Sequence, residues 1–154
     1  MTRARSNPRF QPGTWPLIVL VVWSLYVWAT RISNAAADAT ISAGSKAFSI
    51  GLSLSFIVLA VAGLVILVRA WSRPKTNGEV LIVRLFAGWT IVVWLVRIPM
   101  IVLADHVPSG SDPAAFKTVH AVLGLISIGL ATLVWLRTHQ GATGAESVPA
   151  VTAR

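Results

Sequence analysis

Two side chains able to do chemistry fall inside long apolar stretches of this chain, Arg97 and His120. Arg97 lies thirteen residues after Arg84 and eight before Asp105. On a helix those separations are roughly 20 Å and 12 Å at ~1.5 Å per residue. An arginine at the centre of a bilayer costs roughly 2.5–3.5 kcal/mol on insertion scales, so such a residue marks a candidate site. Its stem can snorkel to the headgroups, with Trp94 one turn back for a cation–π contact and Asp105 as ion-pair partner. Alternatively its guanidinium binds an anion or a carbonyl. Arg31 with Trp28 repeats the arrangement, and a repeated anchor is simpler than a duplicated active site.

His120 shares a helix face with Gly124, Ser127 and Ala131, at spacings of four, seven and eleven. The plain reading is a hydrogen bond to a neighbouring helix, to Asp105 or to a backbone carbonyl. The sharper reading is a haem or metal ligand, or a partner to a quinone carbonyl. Haem with two histidines would need His106 at the loop edge, and a metal site would draw on His106, His120, Asp105 and Asp112. With no cysteine, iron–sulfur and thiolate sites are excluded. The expected cofactor is therefore none, with haem as the exception to test. A second small-residue stripe, Ser49, Ser53, Ala60 and Gly63, is expected to pack closely against the fourth apolar stretch.

Several chemistries are missing. All five acidic residues lie in loops, ends or the helix-end position Asp105. Proton- or cation-coupled transporters usually carry a carboxylate in the membrane core. Walker, GxSxG and HExxH motifs are absent, and no catalytic triad can be built at one depth. The chain is therefore expected not to be an enzyme.

The elements that position these residues follow from composition. The chain of 154 residues is 55% apolar with a mean hydropathy of +0.74, and only 12% of it is charged. This excludes soluble, disordered and disulfide-stapled classes and leaves an integral membrane protein. Four stretches reach the ~20 residues needed to cross a bilayer. They lie at about Thr14–Asn34, Lys46–Ala70, Val80–Ala104 and Ala114–Arg137, between tails at 1–13 and 138–154. Helices are expected, because backbone groups in lipid must be paired internally. The fold class is all-α, a polytopic four-helix bundle, with a kink expected at Pro99.

Thirteen basic residues against five acidic ones give a net charge of +8, which first points to nucleic acid. Located along the chain, nine basic and two acidic residues fall on the side of the termini, and four basic and three acidic on the other. The excess is a topology signal. It puts both termini in the cytoplasm of a bacterium and removes the nucleic-acid reading. The basic flanks suit lipid headgroups.

The two halves resemble each other. Residues Trp23 to Ile32 align without gaps to Trp89 to Ile98 at an offset of 66, with both tryptophans, the arginine and the isoleucine recurring. At an offset of 68, Phe48 falls on Phe116 and Arg69 on Arg137. Two helical hairpins in the same orientation make a parallel repeat about an axis along the membrane normal. Arg3, Arg5 and Arg9 before an apolar run resemble a signal peptide, but the repeat favours retention of the first helix. Trp23 and Trp89 are expected to pack inward near the midplane, and Trp28 and Trp94 to lie toward the outer interface.

The pattern Trp89, Trp94, Arg97, Asp105, Pro113, Phe116, Val119, His120, Leu123, Ser127 and Arg137 resembles a family of small actinobacterial two-helix membrane proteins of unknown function. It covers about a third of the chain, and the first hairpin departs from it at Leu52, where the offset puts His120. An Arg-, Ala- and Val-rich composition fits a high-GC source.

The expected function is that of a non-enzymatic plasma-membrane protein acting through helix packing, as an accessory or scaffold subunit or a homo-oligomer. The alternatives are a haem- or quinone-associated redox subunit with Arg97 and His120 at one outer-leaflet pocket, and a small anion transporter using Arg31 and Arg97.

Overall fold

Short polar side chains set where the helices start. Ser42 accepts from the Ser45 amide and opens α2 (Ala43–Arg69). Thr76 opens α3 (Asn77–Val102) with a capping box, its hydroxyl accepting from the Glu79 amide while Glu79 accepts from the Thr76 amide at 2.8 Å. Asp112 accepts from the Ala114 amide at 2.9 Å and opens α4 (Pro113–Thr143), with Pro113 in the first turn where its missing N–H does no harm. The first helix is α1 (Thr14–Ala37). The computed structural model describes residues 14–103 and 112–143. Within them all four helices are long and apolar enough to span a membrane, and no strand is present.

The caps move the boundaries outward from those the apolar runs predict. α2 and α3 each begin three residues earlier, because polar cap residues precede the apolar run. α4 continues six residues past Arg137 to Thr143. Pro99 sits inside the last turn of α3, where its missing N–H leaves the Leu95 carbonyl without its helical donor and the helix ends three residues later.

The chain winds so that each helix touches two others. α1 packs mainly on α2, and α3 mainly on α4. The lesser contacts, α1 with α4 and α2 with α3, join the two hairpins. α2 and α4 stand on a diagonal without backbone contact, contrary to the expectation that the Ser49, Ser53, Ala60 and Gly63 stripe meets the fourth helix. The reason is local. A Cβ on Gly63 would meet Val21 and Leu17 of α1 and Phe86 of α3, so this face serves α1 and the bundle centre. Ser53 and Ala60 are buried in the same row, and Ser49 is half-buried, its carbonyl accepting from the Ser53 hydroxyl at 2.7 Å.

The core runs through both hairpins in step. Leu17, Leu20, Val21, Ser24 and Trp28 of α1 are buried, and so are Val83, Phe86, Ala87, Thr90 and Trp94 of α3, each 66 residues later. Much apolar side-chain surface elsewhere, from Val22 and Tyr26 to Leu125 and Leu136, faces outward on all four helices. That distribution suits a hydrocarbon solvent and would be untenable in water.

Candidate functional site

The site begins with two tryptophans, expected toward the outer interface, that turn to the centre of the bundle. Trp28 and Trp94 are buried at 2% and 4% exposure, whereas Trp89 is 39% exposed. Trp28 stacks on Phe56 of α2, ring centroids 3.9 Å apart and planes inclined by 12°. It also meets Trp94 of α3 across the diagonal at 6.1 Å. Gly124 of α4 makes room for Trp94. A Cβ there would fall 2.7 Å from Trp94 Cε3 and 2.6 Å from Ile98 Cδ1. A glycine on one diagonal helix and a flat phenyl ring on the other let two indoles share the centre.

Trp23 and Trp89 lie instead on the seams between hairpins, where each indole N–H finds a serine. Trp23 Nε1 donates to Ser127 Oγ of α4 at 2.9 Å, and Trp89 Nε1 donates to Ser55 Oγ of α2 at 3.1 Å. Each serine passes its own proton down its helix, Ser127 to the Leu123 carbonyl and Ser55 to the Leu52 carbonyl, both at 2.7 Å. The partners of these indoles could not be read from helical periodicity, since they lie on non-adjacent parts of the chain.

One turn beyond the buried indoles stand Arg31 and Arg97. Both are half-buried. Arg31 Nε, Arg97 Nη1 and Trp94 Nε1 are buried without a hydrogen-bond acceptor among the described residues. Three N–H donors at one end of a bundle, two of them on cations in a poorly polarisable setting, call for negative charge. Asp105, the expected ion-pair partner, lies outside the described residues, as does His106. Among the described residues no acidic side chain pairs with Arg31 or Arg97.

His120 is half-buried on α4. Its Nδ1 lies 2.8 Å from the Phe116 carbonyl of its own helix, and its ring stands 4.1 Å from that of Phe116. Nδ1 therefore carries the proton and donates, which leaves Nε2 as an acceptor. Asp105, one of the partners expected for His120, lies outside the described residues, and the bond described for His120 is this local one. Of the metal set expected from His106, His120, Asp105 and Asp112, only His120 and Asp112 are described, and Asp112 caps α4 through Oδ1. Among the described residues no three His, Asp or Glu side chains converge.

No protein-family model, curated protein or solved structure matches the chain. The reading of the site therefore rests on its own geometry. To Arg31 and Arg97 the structure adds Trp94 as a third buried donor without an acceptor among the described residues. The signal available for it was the offset of 66, which pairs Trp94 with Trp28 as it pairs Arg97 with Arg31. Gly124, Ser127 and Ala131 line the inner face of α4, against Trp94 and Ile98 in the case of Gly124 and Trp23 in the case of Ser127.

Proposed function

We propose that this is a non-enzymatic, multi-pass protein of the bacterial plasma membrane, with both termini cytoplasmic, that holds an anionic group at its outer end between Arg31 and Arg97. The observation that supports it is the set of three buried donors, Arg31 Nε, Arg97 Nη1 and Trp94 Nε1, without an acceptor among the described residues. Two partly buried cations with donors left unsatisfied are costly in an apolar setting, and an oxyanion held between them would offset that cost. A carboxylate or phosphate suits the forked donors of arginine. Two arginines from equivalent positions of two similar hairpins fit a duplication in which the site straddles the axis relating the halves.

The test is thermal unfolding of the protein in nanodiscs against phosphate, sulfate and short carboxylates, with Arg97→Gln and Asp105→Asn alongside. The expected result is anion-dependent stabilisation of wild type and of Asp105→Asn that is lost in Arg97→Gln. Stability indifferent to every anion, with Asp105→Asn strongly destabilised, would instead make Asp105 the resident counter-ion and overturn the reading.

A further inference from the structure

At the opposite end of the bundle a lateral groove of about 460 Å³ opens between α2, α3 and α4. Leu59 of α2, Gly88 and Trp89 of α3 and Trp135 of α4 line it, and it runs along α3 from Leu81 to Val92. Eleven residues of helix are roughly 16 Å at ~1.5 Å per residue, close to one leaflet, half of the ~30 Å hydrocarbon core. The lining is apolar except for Arg84. Arg84 Nη2 donates to the Thr138 carbonyl at 3.1 Å, which fixes the guanidinium, while its Nε is buried without an acceptor among the described residues.

We propose that this groove binds an anionic phospholipid of the leaflet nearer the termini, with one acyl chain lying over Gly88 and the phosphate held by Arg84. The occupant follows from the two ends of the groove. Its walls offer hydrocarbon and almost no hydrogen-bonding group, which suits an acyl chain and neither a peptide nor a free anion. Its one charge is a fixed arginine, placed about seven residues into α3, or roughly 10 Å from the helix start, where a snorkelling guanidinium reaches phosphate depth. Arg69, Arg73, Lys75 and Arg137 lie at the same end of the bundle, and Glu79, the one acidic side chain described there, is engaged by Arg73 at 2.7 Å. That balance favours an anionic over a zwitterionic headgroup. Gly88 keeps the groove open. A Cβ there would already stand 3.3 Å from Trp135 Cζ3, so a larger side chain must fill the space or displace the indole.

Native mass spectrometry of the full chain, released from nanodiscs of defined phosphatidylglycerol and phosphatidylcholine content, tests this. Wild type is expected to retain one phosphatidylglycerol per chain with a preference over phosphatidylcholine on the order of fivefold, the ~1 kcal/mol that a basic residue adds for a net anionic headgroup, since both lipids carry the phosphate that Arg84 holds. Arg84→Gln is expected to weaken retention of both lipids and reduce the preference, and Gly88→Leu to abolish retention of either lipid. Arg97→Gln is expected to change neither, which separates this site from the outer one. Equal retention of both lipids by wild type, or retention and preference both unchanged in Arg84→Gln, would overturn the proposal. So would displacement of the lipid by inorganic phosphate, or a dimer that excludes it. Should Gly88→Leu fail to fold by circular dichroism, the comparison of wild type with Arg84→Gln decides alone.

Discussion

Trp28 and Trp94 meet across the diagonal of the bundle with ring centroids 6.1 Å apart, and each stands three residues before an arginine. The contact joins the two hairpins at their centre, one turn before Arg31 and Arg97. Removing one of these charges is expected to relieve the cost of burying a cationic donor without an acceptor. Arg31→Gln and Arg97→Gln, measured by thermal unfolding without added anion, are expected to match wild type or exceed it by on the order of 1 kcal/mol. A clear loss of stability in either variant would mean that the guanidinium already has a counter-charge.

Gly124 is the position where added volume has nowhere to go. Gly124→Ala is expected to separate α3 from α4 and destabilise the bundle by about 1–3 kcal/mol, the range for overpacking. Gly51→Ala and Gly129→Ala serve as comparisons, because a Cβ at either meets nothing within 4 Å. Reversible unfolding in detergent checks all three.

The seam between hairpins contains one indole–hydroxyl bond on each side. A double-mutant cycle of Trp23→Phe with Ser127→Ala is expected to give a coupling near the ~0.6 kcal/mol average for hydrogen bonds between membrane helices. The same cycle with Trp89 and Ser55 is expected to match it. A coupling indistinguishable from zero on both sides would remove these bonds as contributors.

The turn between hairpins has its own device. Glu79 accepts from the Thr76 amide and pairs with both terminal nitrogens of Arg73, at 2.7 and 3.2 Å. Thr76→Ala is expected to cost about 1 kcal/mol, as lost caps usually do. Glu79→Ala is expected to cost more, since it also frees Arg73, and the double variant less than the sum.

In the α1–α2 turn, Asp38 accepts from the hydroxyl and the amide of Thr40, at 2.6 and 2.8 Å, and these bonds hold its carboxyl below the usual carboxylate range. The order that Asp38 gives this turn is therefore complete above the ordinary carboxylate pKa and disappears as pH falls through the lowered one. Carboxyl-carbon NMR is expected to show Asp38 titrating low in wild type and closer to its ordinary value in Thr40→Val.

The number of helices and their membrane-spanning character could be read from the sequence because a twenty-residue apolar run has few alternatives in lipid. The partners of those helices could not. The faces of α2 are almost equally apolar all round, so nothing in its pattern distinguishes α1 from α4 as the neighbour of Gly63. Which way the tryptophans face was not legible for a related reason. Depth can be counted along a helix, but whether an indole points to lipid or to the axis depends on what faces it. For Trp28 that is Phe56, and for Trp94 it is the gap at Gly124. Arg31 and Arg97 were legible because charge in an apolar run is rare and the offset of 66 repeats it. Arg84 was read only as a topology signal, since a groove formed by three helices leaves no trace in any one of them.

The dominance of α1–α2 and α3–α4 packing over the seams bears on how the molecule is made. Each hairpin can leave the insertion machinery as a finished unit, its strongest contacts satisfied, before the other is synthesised. Assembly is then a meeting of two prebuilt halves in the plane of the bilayer. Cutting the chain in the connection between Arg69 and Asn77 should leave two fragments that find each other when produced together.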